Sequence, residues 1–179
     1  MRHALNAIPF ALVATIVVAA PNTKLSPEIA SIETGIICPP EPVGTRPAPG
    51  TVAGTTNVIG DEPPFVSNSH RVPAVLGIGF GAKSLSESAF GLDNVTMVVT
   101  HPPMGDGAVE SQNFLTSISG ADPSLTFYQF DYDYELLIGT WRMTAMHKGE
   151  VLYTTSFEVV PPSQVPELAS VCGYEALLS

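Results

Sequence analysis

The segment GTWRMTAMHKGEVLYTTSFEVV, residues 139–160, leaves a chain little conformational freedom. Trp141, Met143 and Ala145 share one parity, and Thr140, Arg142 and Thr144 share the other. Beyond His147-Lys148-Gly149-Glu150, Tyr153, Thr155, Phe157 and Val159 alternate with Thr154, Ser156 and Glu158. Successive side chains of an extended strand point to opposite faces, so a period of two sets one row against a core and the other in water. Two such runs around a Lys-Gly turn predict an antiparallel hairpin. Its buried row carries Trp141, the only tryptophan. Burying that side chain contributes several kcal/mol at about 25 cal/mol per Å².

The rest of the chain follows the same rule. IASIETGIICPP reads as a strand ending at Pro39-Pro40, EPVGTRPAPG as a loop and TVAGTTNVI as a strand. NVTMVVTH is a strand stopped by Pro102-Pro103, and NFLTSIS is another. In LTFYQFDYDYE, Tyr128, Phe130, Tyr132 and Tyr134 alternate with Gln129, Asp131, Asp133 and Glu135. No segment holds a helical period for long. Seven or eight short strands with regular turn signals predict an all-β fold, an antiparallel β-sandwich of immunoglobulin-like character over residues 29–162. Residues 20–28 read as a lead-in and 163–179 as a C-terminal tail, in which Pro166-Glu167 can open one helical turn.

RVPAVLGIGFG, residues 71–81, raises a choice. Glycines after an apolar run can cradle phosphate, but only in a turn between a strand and a helix. No helical pattern follows here, and the spacing misses the dinucleotide fingerprint. By parity, Val72, Ala74, Leu76, Ile78 and Phe80 take one face and Pro73, Val75, Gly77, Gly79 and Gly81 the other. The stretch therefore reads as one strand with a bare glycine face, which either an aromatic of the same chain or a partner covers.

The N-terminus and the cysteines point to a compartment. MRHALNAIPFALVATIVVAA opens with a cation, runs apolar to Ala20 and then turns polar. This run is too short to span a membrane comfortably and fits a secretory signal over residues 1–19, cut after Ala19 or Ala20. No stable membrane anchor is expected after cleavage. Cys38 and Cys172 are the only cysteines, and in an exported chain they invite one disulfide. A periplasmic or secreted protein follows.

Charge bounds the partners. Lysine and arginine number 7 against 17 acids, a net charge of −10. Nucleic acid, which needs a basic patch, is excluded. No cofactor and no metal are expected, since no histidine pair has ligand spacing and no nucleophile has a recognisable context. Glu87, Asp93, Asp106, Glu110, Asp122, Asp131, Asp133 and Glu135 lie between Lys83 and Arg142 with no cation among them. If that field gathers on one face, it suits an envelope protein or another basic partner. Arg71, His101, Asp131, Asp133 and Glu135 form the candidate binding surface: the carboxylates stand on one strand face, and His101 ends a strand at a rigid proline loop. The expected role is non-catalytic, a binding or structural module. The alternative is an exported enzyme or metal-dependent binder built on Asp131, Asp133 and His101.

Taken together, RVPAVLGIGFG, VTHPPMG, FDYDYELLIGTW and VLYTTSFEVVPP resemble the bacterial domain-of-unknown-function family numbered 3859, over about residues 30–162. The resemblance implies an exported protein of Gram-negative bacteria. It carries no activity, cofactor or catalytic residue across to this chain.

Overall fold

The computed structural model describes residues 25–178. The signal segment expected at residues 1–19, and the lead-in up to residue 24, lie outside the described residues. Ten strands follow: β1 (Ile29–Ile37), β2 (Pro42–Pro47), β3 (Thr55–Ile59), β4 (Arg71–Pro73), β5 (Gly79–Ser86), β6 (Leu92–Met104), β7 (Val109–Ile118), β8 (Ser124–Gln129), β9 (Gly139–His147) and β10 (Glu150–Val160). A three-stranded sheet has the order β1-β5-β8, and a five-stranded sheet the order β4-β10-β9-β6-β7. All their pairings are antiparallel except β4 with β10. A separate hairpin pairs β2 with β3.

This is the immunoglobulin arrangement: β10-β9-β6-β7 repeats the order G-F-C-C′, and β1-β5-β8 repeats A-B-E without a fourth strand D. The expected hairpin is β9–β10, with Trp141, Met143, Ala145, Tyr153, Phe157 and Val159 all buried. The two sheets meet around Phe80, which packs on Tyr128, Phe130, Trp141 and Phe157 at ring-centroid distances of 4.9–6.0 Å. Such tilted and edge-on pairs add to what area burial supplies.

The glycine stretch is not one strand. It forms β4 and then β5, which belong to different sheets, with a turn between them. Gly77 breaks the run at φ +83°, a left-handed conformation that favours glycine, and Pro39 packs where its Cβ would stand (2.7 Å). On β5 the bare face is covered from within. A Cβ on Gly81 would sit 2.6 Å from Phe127 Cα and against the Thr126 carbonyl. A Cβ on Gly79 would meet Ile37 of β1 at 2.7 Å and the Phe127 ring of β8 at 3.2 Å, so backbone and side chains of both neighbouring strands fill this trough.

Three other segments depart from the sequence reading. β6 does not stop at Pro102-Pro103 but runs on to Met104, with an irregularity in its pairing after Thr100. The proline-glycine loop contains β2, because proline at the ends of an exposed two-stranded ribbon costs no ladder hydrogen bond. The FYQFDYDYE run stops being a strand at Gln129, and Asp133–Glu135 form a 3₁₀ turn. Beyond β10, short 3₁₀ turns at Pro162–Gln164, Pro166–Leu168 and Glu175–Leu178 flank the four-residue helix α1 (Ala169–Cys172). Val165, Leu168, Ala169 and Tyr174 of this tail are buried, and Cys172 is bridged to Cys38.

Candidate functional site

The fold gathers one chain of buried polar side chains at the open side of the sandwich, between β7 and β8. Inward parity along β6 runs Val95, Met97, Val99, His101, so the histidine enters the interior instead of ending a strand. Its Nδ1–H donates to the Pro102 carbonyl (2.8 Å), and Nε2 accepts from Gln112 Nε2 (3.0 Å). A carbonyl can only accept, which fixes this tautomer. The imidazole also lies against Trp141, with ring centroids 4.8 Å apart. Gln112, at an inward position of β7, donates in addition to the Tyr128 hydroxyl (3.2 Å), and its Oε1 accepts from the Val52 N–H of the β2–β3 hairpin (2.6 Å). Tyr128 donates to Glu135 Oε1 (2.6 Å). The other oxygen of Glu135 accepts from the backbone N–H groups of Asp131 (2.6 Å) and Tyr132 (2.9 Å).

Electrostatics follow burial. Desolvation pulls the His101 pKa below its ordinary value, against the Pro102 carbonyl and the Glu110 charge. It pushes Glu135 up, against the hydrogen bonds from Tyr128 and the two backbone amides. Tyr128 is raised by burial and by the Glu135 charge next to it. Asp131 is raised by burial, opposed by bonds from Gln129 and Asn57. At neutral pH the chain is a neutral imidazole, an amide, a phenol and a carboxyl group, each with its partners supplied by the protein.

The β2–β3 hairpin closes this side. Gly50 O accepts from Asn113 N–H (2.9 Å), and Asn57 Nδ2 donates to both Asp131 oxygens (3.1 and 3.0 Å). A cleft of about 120 Å³ remains over the polar chain, lined by Arg46, Thr56, Asn57, Gln112, Tyr128 and Asp131. A shallower, outer hollow of about 330 Å³ lies between the hairpin and β8, lined by Arg46, Asn57, Ile59, Glu62, Leu125 and Phe127. Although the outer hollow is larger, the inner cleft touches the polar chain and is where any chemistry would have to occur. It is smaller than the roughly 300–1,000 Å³ of small-molecule sites.

The candidate surface does not assemble. His101 and Glu135 are 6% and 5% exposed, so neither is a surface group. The 3₁₀ turn swings Glu135 inward, while Asp133 stays exposed and Asp131 sits at the cleft rim. Arg71 lies on β4, at the edge of the five-stranded sheet opposite β7, where it donates to Gln164 Oε1 (2.6 Å). The acidic field also divides. Strand directions put Glu87, Asp93 and Asp122 at one end of the sandwich and Asp106, Asp131 and Asp133 at the other. Gln112 and Tyr128 are the members that sequence reasoning passed over. Their one signal is a polar residue at an inward parity position. Among the described residues, no group of three or more His, Cys, Asp or Glu could hold a metal ion.

Chemically, the arrangement can set a shape. The Nε2 lone pair of His101 is occupied by Gln112, and among the described residues no hydroxyl or thiol nucleophile bonds to it. The lowered His101 pKa has a testable sign. The unfolded chain takes up a proton near the ordinary value of 6.5 while folded His101 stays neutral, so its stabilisation is lost as pH falls through that range. Asp131 and Glu135, both raised, have the opposite sign. A comparison of wild type with His101→Gln cancels their contribution. In urea titrations, the stability advantage of wild type over His101→Gln is expected to shrink between about pH 7.5 and about pH 5.5. An advantage that stays constant would show that His101 titrates normally.

No curated protein matches this chain. Among solved structures, an immunoglobulin-like protein from Pseudomonas aeruginosa superposes with a TM-score of 0.50 at 18% identity, covering 80% of this chain and 100% of that one. That similarity shows the fold alone. A family model described as Domain of unknown function (DUF3859) matches residues 25–159, the strands of both sheets and the β2–β3 hairpin included. The chain belongs to this family.

Proposed function

We propose that the protein is exported to the periplasm or beyond the cell surface of a Gram-negative bacterium and acts there as a disulfide-bonded immunoglobulin-like binding or structural module, without catalysis. The observation that carries this reading is the closure of the polar chain from His101 to Glu135 on itself. A catalytic site presents an acid, base or nucleophile to a substrate, whereas these groups spend their hydrogen-bonding capacity on one another. The enzyme alternative needs His101 beside Asp131 or Asp133, and His101 bonds instead to Pro102 and Gln112. Export is supported by the Cys38–Cys172 bridge, which belongs to an oxidising compartment, and by the apolar N-terminal run.

Expression of the full chain in a Gram-negative host tests both parts. Osmotic shock should release a species lacking residues 1–19 or 1–20, whose intact mass rises by two hydrogens on reduction. Chemical crosslinking in the same fraction should give discrete adducts, equally with wild type and His101→Gln. A reduced, uncleaved cytoplasmic chain would overturn export. Adducts lost in His101→Gln would overturn a purely architectural role for the polar chain.

A further inference from the structure

The three-stranded sheet ends at β8, where the immunoglobulin sheet would carry a fourth strand. Gly77 N–H donates to Phe130 O and Phe130 N–H to Ile78 O, so the even-numbered residues of this run face the ladder with β5. The alternation of an antiparallel pair then turns the backbone groups of Leu125, Phe127 and Gln129 outward. Leu125 N–H is taken by Glu62 Oε2 (3.1 Å). By the same alternation the N–H groups of Phe127 and Gln129 point away from β5, to the side of β8 on which, among the described residues, no strand pairs.

β3 lies opposite this edge without joining it. It pairs only with β2, and side chains alone hold it to β8: Asn57 reaches Asp131 at one end, and Glu62 reaches Leu125 at the other. Those two links run in opposite chain directions, so β3 and β8 are antiparallel and stand off across the two hollows. The outer hollow, at about 330 Å³, is within the range of a binding groove. Arg46 lines both hollows. Its guanidinium bonds to Thr56 Oγ1 (3.2 Å) and Leu115 O (3.5 Å) but meets no carboxylate. Among the described residues, the ion pairs join Lys83 to Glu62 and His147 to Glu28. Asp131, by contrast, already accepts from Asn57 and Gln129. Asp131, likewise without a cation partner among the described residues, lines only the inner cleft, and Glu62 of the outer hollow is paired with Lys83, so the unmet charge in the outer hollow is positive.

We propose that the free edge of β8 is the docking groove for an extended strand of a partner protein, which pairs with Phe127 and Gln129 and sets an acidic side chain against Arg46. The strand would occupy the missing fourth position, with main-chain hydrogen bonds supplying affinity and the hollows reading alternate side chains. This rests on the binding-module reading and reverses the charge expected of the partner at this one site, because the net acidity of the chain lies at its two ends.

Short fluorescein-labelled peptides of alternating Thr and Val, with Glu or Lys at the centre, serve as probes of the oxidised mature chain by fluorescence anisotropy. The Glu peptide is expected to bind at least about tenfold more tightly than the Lys peptide, and Arg46→Gln to equalise the two. Gln129→Pro removes an edge N–H that no β5 bond uses, so it should abolish binding with little change in thermal melting. If that variant does not fold, wild-type hydrogen exchange decides instead: the Glu peptide should slow the Phe127 and Gln129 amides about tenfold or more. Absence of binding by either peptide, binding indifferent to Gln129→Pro, or amides that exchange unchanged would each overturn the proposal. Concentration-dependent dimerisation lost in Gln129→Pro would do so as well, by assigning the edge to a second copy. Envelope crosslinks persisting in any of these cases would leave the binding-module reading standing with its site elsewhere.

Discussion

Replacing Cys38 and Cys172 together by serine is expected to lower the unfolding free energy by about 3–5 kcal/mol. The bridge spans a sequence separation of 134 residues, nearly the whole described domain. Loop-closure entropy for such a ring approaches about 5 kcal/mol, and residual structure in the unfolded chain reduces it. The loss should have a place as well as a size. Cys172 ends a helix of four residues, far below the length that holds a helix in isolation. That helix stays in place through the bridge and through Val165, Leu168, Ala169 and Tyr174, which bury against the sandwich. The amides of Gly173 and Tyr174, both donating to Ala169 O (2.7 and 3.0 Å), should therefore lose exchange protection before those of β9 and β10. Urea titration and amide exchange on the double variant measure both effects. A change under about 1 kcal/mol would show that packing alone docks the tail.

What could be read from the sequence depended on whether local pattern and tertiary pairing agreed. In β9 and β10 they agree: one face meets the core and the other water, so the alternation is visible in the letters and the hairpin forms as expected. In RVPAVLGIGFG they conflict. The parity of Val72 to Phe80 is that of one strand, yet β4 pairs with β10 and β5 with β1 and β8. The left-handed backbone of Gly77, invisible to a parity count, lies in the turn that carries the chain from one sheet to the other. In FYQFDYDYE the alternation continues past the point where β5 offers a partner: β8 pairs as far as Gln129 opposite Gly79. Glu135 then leaves the acidic row and turns inward, because two backbone N–H groups and the Tyr128 hydroxyl need an acceptor there. Gln112 carries only its inward parity on β7 as a signal, and the parity does not tell a buried amide's role, which its partners set.

Trp141→Ala is expected to cost about 4 kcal/mol, within the roughly 3–5 kcal/mol typical of removing a large buried aromatic. The ring is fully buried where the apolar core and the polar chain meet. Phe80 packs edge-on against it at 5.8 Å, Phe130 edge-on at 5.5 Å, Tyr128 lies tilted at 5.0 Å, and His101 covers it at 4.8 Å. Collapse cannot fill such a cavity cheaply, because its walls come from both sheets. Trp141→Phe should cost less, about 1–2 kcal/mol, through lost volume and through the Leu137 carbonyl, which loses the indole N–H that reaches it at 3.0 Å. Since Phe80 and Trp141 touch, Phe80→Ala and Trp141→Ala should not add, and the double variant should differ from the sum by about 0.5–3 kcal/mol. A second readout separates the site from simple stability. Desolvation is the main cause of the lowered His101 pKa, and Trp141 is the ring that covers the imidazole. In folded Trp141→Ala, water reaching His101 should move its titration, followed by NMR, back toward 6.5. Normal titration in the wild type, or no movement in the variant, would mean that other walls keep the imidazole dry, and the polar chain would then owe its closure to the β2–β3 hairpin and not to the core beneath it.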